Sequence, residues 1–374
     1  MSEYQCYEFV ALDRPLTSKQ MAELRAISTR AEITPTRFWN EYQWGDLKAD
    51  PAKLVERYFD AHMYFANWGT HRLILRIPLK RVDVKAVRAY FVSDVASARV
   101  GGEHLLLDLQ SQDEEPDYYE ESQGSLGALT ALRTELMRGD LRGAYLAWLL
   151  AVQADEVADS EREPPVPPGL AELTAAQAAM VEFLRIDEDL LAAAAGASAA
   201  DPDDTEAVRA WAAALPPRAK DEWLARAIED PDLSLGAEIR RLFRSQTRMA
   251  TRSGRRVSQL RAAAESKRAA REHAESIARE KAKKAADVAR RKRLDALSAK
   301  GDAAWVELEA RVDKKDYDAA VKLAIDLRDL AKRDGAVAAF ARRFEALRKR
   351  QLRRRGFFDR WRLQNEPSQS YTGA

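Results

Sequence analysis

The chain has 374 residues, of which 46% are hydrophobic and 32% charged, and its formal net charge at pH 7 is only +1. This length predicts two or three domains, with ample chain for a sizeable core. The single cysteine, Cys6, excludes an intramolecular disulfide framework and a multi-cysteine zinc site. The N-terminus has no basic segment followed by an apolar one, and no apolar run approaches the roughly eighteen residues of a membrane span. We therefore expect a cytoplasmic protein, without a cofactor and not bound to a membrane.

The near-zero net charge hides a strong segregation of charge along the chain. Residues 1–112 carry 15 basic and 14 acidic side chains, residues 113–237 carry 9 and 27, and residues 238–374 carry 37 and 19. The last two regions therefore have net charges of −18 and +18. Such asymmetry predicts an acidic segment that folds back on the basic segment or competes with its partner. The alternative is that both regions merely keep a long helical protein soluble.

Residues 1–112 mix strand and helix signals and predict an α+β head domain. Thr17 followed by Gln20 is a capping box, and Asp50 before Pro51 is a second helix start. Alternating apolar residues on both sides of residues 67–70 predict a hairpin. The predicted strands are 4–12, 33–40, 58–66, 71–77, 89–94, 98–103 and 104–110, and a helix is predicted at 84–88.

The acidic middle is predicted to be helical. Residues 113–163 form an acidic loop and a helical pair that is broken at Arg138-Gly139-Asp140. The sequence PPVPPG at 164–169 is a stiff spacer, and it opens an acidic helical region that extends to residue 237. Thr174 with Gln177 marks one of its helix starts. The helices are expected at 172–195, 204–214, 216–229 and 234–250.

Residues 238–300 form a basic helical arm. Arginines recur at every fourth position from Arg240 to Arg256, and no acidic residue lies between Glu238 and Glu265. From Val257 onward the sequence is rich in alanine and predicts one long helix of roughly 65 Å. A helical hairpin module at 301–356 and a flexible tail at 357–374 follow. The fold expected is thus an α+β N-terminal domain, a mostly α-helical acidic region, and a long basic helix with a C-terminal helical hairpin.

The basic arm is the main candidate for a binding surface. Arginines four residues apart advance about 6 Å per step along a helix, similar to the spacing of successive phosphates on one strand, and arginine holds phosphate bidentately. Such binding would be indifferent to sequence and would weaken with salt. An acidic partner protein, the acidic middle of the same chain and a simple charged spacer are alternatives, because i,i+4 pairs such as Arg268 with Glu272 neutralise part of the arm. The candidate residues are Arg240, Arg244, Arg248, Arg252, Arg255, Arg256, Lys281, Lys283, Lys284, Arg290, Arg291, Lys292 and Arg293.

A second, weaker candidate lies in the N-terminal hairpin. Strand alternation places Asp60, His62 and Tyr64 on one face, and His71 and Arg72 begin the returning strand. A histidine close to a carboxylate can serve acid/base chemistry, and an arginine can hold an anion. No established catalytic motif surrounds these residues, and a polar or partly buried hairpin face is the more usual explanation of such a group.

Aromatic and basic residues are interleaved in the same domain, and the aromatic side chains could have either of two roles. Trp39, Trp44 and Trp68 lie close in sequence to Arg37 and Lys48. Such a set can stack on the bases of a single-stranded nucleic acid, although core packing is the more usual fate of aromatic side chains.

Two stretches of sequence resemble known groups of proteins. The segments YEFVALDRPLT, ITPTRFWN and YFDAHMYFANWGT resemble segments of an uncharacterised bacterial protein family. That resemblance covers about the first 150 residues; it implies a bacterial cytosolic protein and carries no activity. Residues 302–350 are similar to the helical tail of some bacterial SWIM-type zinc-finger proteins. The zinc motif itself is absent, so this second resemblance implies only an interaction module.

These observations predict a non-enzymatic interaction protein whose basic arm, residues 238–300, binds nucleic acid or an acidic protein, with the acidic middle as a competitor. The first alternative is a hydrolase or nuclease that uses Asp60, His62, His71 and Arg72. The second is a helical scaffold that binds a protein partner through residues 302–350.

Overall fold

The computed structural model describes residues 3–113, 126–200, 205–229, 234–247 and 254–365. It divides into an N-terminal unit, Met1–Ala270, and a C-terminal unit, Arg271–Ala374.

The N-terminal unit is built on one antiparallel sheet of seven strands, in the order β2-β3-β1-β4-β5-β7-β6. The strands are β1 (Gln5–Val10), β2 (Glu32–Ile33), β3 (Arg37–Tyr42), β4 (Ala61–Ala66), β5 (Thr70–Pro78), β6 (Ala96–Gly101) and β7 (His104–Gln112).

The N-terminal unit also contains helices between and after these strands. They are α1 (Ser18–Ile27), α2 (Pro51–Tyr58), a 3-10 turn (Leu79–Arg81), α3 (Val84–Arg88), α4 (Leu126–Met137), α5 (Arg142–Gln153), α6 (Ala175–Phe183), α7 (Glu188–Ala195), α8 (Thr205–Ala214), α9 (Pro217–Glu229), α10 (Ser234–Thr247) and the start of α11 (Val257–Lys300).

The two faces of the sheet bury different cores. Because successive side chains of a strand point to opposite faces, Met63 and Phe65 of β4 enter one core while Tyr64 packs against the other. The core on the Tyr64 face also contains Leu24 of α1 and Leu54 of α2. The other core is the larger one, and it contains apolar residues of α4, α5, α6 and α7.

Helix α5 is the centre of the larger core. Its sequence RGAYLAWLLAVQ is apolar on nearly every side, and residues 142–152 are all buried. A helix that is hydrophobic all round requires cover from several elements. Sheet, flanking helices and the first turns of α11 supply that cover in a single apolar cluster.

The C-terminal unit is helical in the part that the structure describes. It continues α11 and adds α12 (Asp302–Asp313), α13 (Tyr317–Arg333), α14 (Val337–Arg350) and α15 (Arg355–Asn365). Leu297 of α11, Leu308, Val321, Leu347 and Phe357 meet in its core. Gly335 separates α13 from α14, as expected of a helical hairpin with a short connection.

The fold class predicted from sequence is confirmed, since an α+β head precedes helical regions, a long helix and a helical hairpin. Both capping boxes are present, Thr17 with Gln20 and Thr174 with Gln177. The β4–β5 hairpin and the helix from Val257 to Lys300 also form as predicted.

Several expectations differ from the structure. The single strand predicted at 33–40 is two strands, β2 and β3. The strand predicted at 89–94 does not form; the backbone N–H groups of Asp94 and Val95 donate to the Glu156 carboxylate, at 2.8 and 3.0 Å, and a strand begins only at Ala96. The helix predicted at 172–195 is two helices, interrupted near Arg185, whose φ is +53°. Part of the predicted flexible tail forms α15, because Phe357 is an apolar anchor that is fully buried. The acidic segment 114–125 and residues 366–374 lie outside the described residues.

Candidate functional site

The polar residues of the β4–β5 hairpin lie on two opposite faces of the sheet. The register pairs Tyr64 with Arg72 and Phe65 with His71. Directly opposed residues of antiparallel strands share a face, and neighbours along a strand alternate. His62 and Arg72 are therefore on the face of Tyr64, whereas His71 is on the other. The four residues singled out from the sequence do not converge on one site.

His62 has the environment of a core residue. It is fully buried, its ring stacks on Phe9 with 4.0 Å between centroids, and its Nδ1 lies 2.9 Å from the carbonyl oxygen of Glu8. The acceptor is a carbonyl, so Nδ1 carries the proton and donates it. Burial lowers the pKa of His62 to about 3, and the side chain is neutral at physiological pH.

Asp60 holds the end of β1 to the hairpin. Its carboxylate accepts from the backbone N–H of Leu12 at 2.7 Å and of Asp13 at 2.9 Å, and it pairs with Arg76 at 2.7 Å. Burial acts to raise the pKa of Asp60, but these hydrogen bonds and Arg76 outweigh it and the pKa is lowered. Asp60 is thus ionised, and its role is structural, because it links the backbone after β1 to Arg76 of β5.

His71 and Arg72 also contact structural partners. The His71 ring stacks on Phe183 of α6, with 5.0 Å between centroids, and its Nδ1 donates to the Phe183 carbonyl. Arg72 makes two hydrogen bonds to Asp108 on the adjacent strand, at 2.8 and 2.6 Å. Among the described residues, no group of three or more His, Cys, Asp or Glu side chains could hold a metal ion.

The candidate residues of the basic arm fall into two clusters, residues 240–256 and residues 281–293. The first basic cluster, residues 240–256, contacts acidic residues of its own unit. Arg244 lies 3.4 Å from Asp140, which Arg142 also holds at 2.7 Å. Arg255 makes a bidentate pair with Glu163, at 2.8 and 2.7 Å. Glu163 is buried and also accepts the hydroxyl of Tyr145. Arg240 and Arg256 are exposed, and Arg248 and Arg252 lie outside the described residues.

Backbone hydrogen bonds and apolar contacts fix the start of α11 to the same unit. The N–H of Glu163 donates to the carbonyl of Arg255, and the N–H of Val257 donates to the carbonyl of Glu161, both at 3.0 Å. Val257 and Leu260 are fully buried in the larger core. Burial of each such side chain contributes about 1.5–3 kcal/mol. The first turns of α11 are therefore an integral part of the N-terminal unit.

Further pairs continue this contact along α11. Arg261 pairs with Asp155 and lies 3.3 Å from Asp159, and it donates to the carbonyl of Val152 at 2.7 Å. Arg268 pairs with Asp187 at 2.5 Å. The acidic partners were not singled out from the sequence, because their only signal there is the net charge of −18 over residues 113–237.

The second basic cluster, residues 281–293, lies on α11 in the C-terminal unit, and only some of its side chains pair with α13. Arg290 pairs with Asp329 and Arg293 with Asp326, both at 2.8 Å, so these two side chains face α13. The other basic residues of the cluster are exposed. Lys284 has only an exposed pair with Glu280 on its own helix, at 3.7 Å.

Four exposed basic residues share one face of α11. At about 100° per residue, Lys281, Lys284, Arg291 and Lys292 fall within roughly 100° of the helix circumference. We call these four residues the basic stripe. Lys281, Arg291 and Lys292 have no ion-pair partner within the part of the chain that the structure describes. All residues from 272 to 293 are exposed, so a ligand can reach the stripe directly.

The aromatic residues of the head divide between packing and exposure. Trp39 packs under the guanidinium of Arg37, 5.9 Å from its ring centre. Trp44 is 79% exposed and Trp68 is 43% exposed.

Cys6 is buried, and burial raises the pKa of its thiol to about 12, so the thiol is protonated and inert.

Comparison with protein-family models, with curated proteins and with solved structures finds no match to this chain. Among the described helices, none is both long and apolar enough to cross a membrane.

Proposed function

We propose that this protein is a non-enzymatic interaction protein that binds nucleic acid through the basic stripe of α11, without reading its sequence. The observation that carries the proposal is the exposed stripe of Lys281, Lys284, Arg291 and Lys292 on a helix segment whose residues are all exposed. Positively charged side chains on one helix face can contact successive phosphates, and each contact releases counterions from the nucleic acid.

The first basic cluster contributes less to this binding in the folded chain. The guanidinium groups of Arg244 and Arg255 already contact Asp140 and Glu163, and a phosphate would have to displace those carboxylates. The acidic middle is thus a built-in competitor for that part of the basic arm. Nucleic acid would engage the stripe first, because its side chains need no such release.

Fluorescence anisotropy with labelled single-stranded and duplex oligonucleotides tests the proposal. The test variant combines Lys281→Ala, Lys284→Ala and Lys292→Ala. The matched control combines Lys314→Ala, Lys322→Ala and Lys332→Ala, three exposed lysines on other helices and loops of the same unit. Both variants lose three positive charges, so an effect of net charge alone changes them equally.

We expect the wild-type affinity to fall steeply between about 50 and 200 mM salt and to be similar for unrelated sequences. The test variant should reduce the slope of log K against log salt by about 2 to 3, and the control should keep it. Absence of binding at low salt, or equal losses in the two variants, contradicts the proposal. Binding to an acidic polypeptide but not to oligonucleotides would show that the basic stripe binds an acidic protein and not nucleic acid.

The alternatives have less support from the geometry. A hydrolase or nuclease site needs its acid, base and anion-holding groups together in a cleft, whereas His62 and His71 are buried on opposite faces of the sheet. A protein partner for residues 302–350 stays a prediction, tested by co-purification with and without residues 302–374.

A further inference from the structure

A cleft with basic walls lies in the N-terminal unit, and none of the four β4–β5 hairpin candidates is among its lining residues. Its volume is about 660 Å³. Three segments form it: the loop after β1, the end of β5 with the 3-10 turn, and α10. Its lining residues are Leu12, Asp13, Arg14, Pro78, Lys80, Arg81, Ala237, Glu238 and Arg241.

Positive charge dominates the lining, and both acidic residues have arginine partners from outside it. Arg133 holds Asp13 with a hydrogen bond of 2.9 Å, and Arg226 holds Glu238 with bonds of 3.2 and 2.8 Å. The pKa of Glu238 is lowered, first by the hydrogen bond from Arg226. Four basic side chains therefore line the cleft, and the two carboxylates there are already compensated.

The position of α10 in the cleft is fixed by close packing. Gly139 follows α4 with φ +80°, and a Cβ at this glycine would lie 3.2 Å from the Cα of Arg241. Phe243, two residues further along α10, is almost fully buried, and its ring packs edge-on against Trp211 at 5.4 Å. The Cα and the first side-chain carbons of Arg241 are thus packed against Gly139, which fixes where its side chain leaves α10.

We propose that this cleft binds a small polyanion with at least two linked phosphate groups, such as pyrophosphate or the phosphate chain of a nucleotide. The volume lies within the range of about 300–1,000 Å³ that small-ligand sites occupy. Arginine and lysine are the side chains that hold phosphate oxygens, and arginine does so bidentately. None of the described residues that line the cleft is aromatic, so the phosphates and not a stacked base supply the recognition. The proposal is independent of nucleic-acid binding by the basic stripe.

Calorimetric titration of the full chain with inorganic pyrophosphate and with ATP tests this site. The test variant is Arg14→Ala with Lys80→Ala, both exposed, so neither change disturbs the core. The matched control is Arg30→Ala with Lys85→Ala, which removes an exposed arginine and lysine outside the cleft. We expect both ligands to bind the wild type and the control, and the test variant to lose about tenfold or more in affinity.

A second variant and a second measurement make the outcome decisive. Arg241→Ala should weaken pyrophosphate to a similar degree, and pyrophosphate should slow hydrogen exchange in α10, since the ligand bridges α10 to the head. Citrate, a polyanion without phosphate, should bind at least tenfold more weakly than pyrophosphate.

Three outcomes overturn the proposal. The first is no heat or thermal shift with either phosphate ligand, and the second is equal affinity in the test and control variants. The third is loss of oligonucleotide binding alone in the Arg14/Lys80 variant, which would assign the cleft to a macromolecular interface. Each outcome is distinct from failure of the stripe, which is tested by variants in the other unit.

Discussion

The two units of this protein differ in how deeply their arginines are buried, although exposed pairs such as Arg57 with Glu23 also occur in the N-terminal unit. In the N-terminal unit Arg133 and Arg142 are buried, and each joins a carboxylate to backbone carbonyl groups of distant segments. In the C-terminal unit, arginines such as Arg343 and Arg350 pair with single carboxylates at the surface. A buried guanidinium that loses its partner leaves an uncompensated charge, whereas an exposed one exchanges its partner for water.

This difference changes how the charge of the basic segment is interpreted. A count of charges treats all arginines alike, yet Arg255 is held by a buried carboxylate and Arg291 is exposed on its helix. The first is part of the fold, and the second is available to a ligand. Ligand binding therefore depends on the charged side chains that are not already paired within the fold.

The largest expected effect comes from removing one partner of a buried pair. Arg255→Ala removes the bidentate partner of the buried Glu163 carboxylate, which the Tyr145 hydroxyl also contacts, and we expect a loss of about 3 kcal/mol in the free energy of unfolding. The matched change in the C-terminal unit, Arg350→Ala, should cost no more than about 1 kcal/mol. The exposed fractions of the two arginine side chains, 19% and 60%, are the reason for the contrast.

Urea unfolding followed by circular dichroism measures both variants, and hydrogen exchange resolves which unit is affected. Equal losses for Arg255→Ala and Arg350→Ala would remove the distinction between the two uses of arginine. The double variant Arg255→Met with Glu163→Leu provides a further check. It should recover part of the loss, because no buried charge then remains unpaired.

The second prediction is a pH dependence specific to the N-terminal unit. Unfolded histidine takes up a proton near pH 6.5, whereas folded His62 stays neutral down to about pH 3. The unfolded state therefore binds more protons over this interval, and the stability falls as the pH is lowered. Between about pH 7.5 and pH 5 the loss from this one group is about 2 kcal/mol.

His62→Gln should flatten this part of the pH profile, since the amide keeps a donor for the Glu8 carbonyl but does not titrate. The matched control is His273→Gln, on the exposed part of α11, which we expect to leave the profile of the N-terminal unit unchanged. Thermal unfolding across this pH range measures both. An unaltered slope in His62→Gln would mean that other groups cause the acid sensitivity.

The sequence predicted the elements whose signals are local. Thr17 and Gln20 form a capping box within a single turn, and the β4–β5 hairpin is visible from residues next to one another. The faces of His62 and His71 were less accessible, because they depend on the exact register after the turn at 67–69. A register slip of one residue in β5 would place His71 on the same face as His62.

Contacts between distant segments were beyond the reach of local patterns. Arg255 and Glu163 are 92 positions apart, and only the opposite net charges of the two regions hinted at their pairing. The cleft proposed to bind phosphate likewise brings together Arg14, Lys80 and Arg241, which share no periodicity. All four residues of the basic stripe are among the candidates named from the sequence, but the sequence did not separate them from Arg290 and Arg293, whose carboxylate partners lie on α13.

The smallest expected effect compares two glycines that occupy equivalent places in helical hairpins. Gly139 follows α4 with φ +80°, and Gly335 follows α13 with φ +69°. A methyl group at Gly335 meets no atom within 4 Å, so Gly335→Ala should cost only the strain of its backbone, about 1 kcal/mol. At Gly139 the same methyl group would also lie 3.2 Å from the Cα of Arg241. Gly139→Ala should therefore cost more, and it should speed hydrogen exchange in α10 and weaken pyrophosphate binding in the cleft, whereas Gly335→Ala should do neither. Equal hydrogen exchange in α10 and equal pyrophosphate affinity in the two variants would show that α10 is not held against this turn. Arg241 would then not be part of the proposed site.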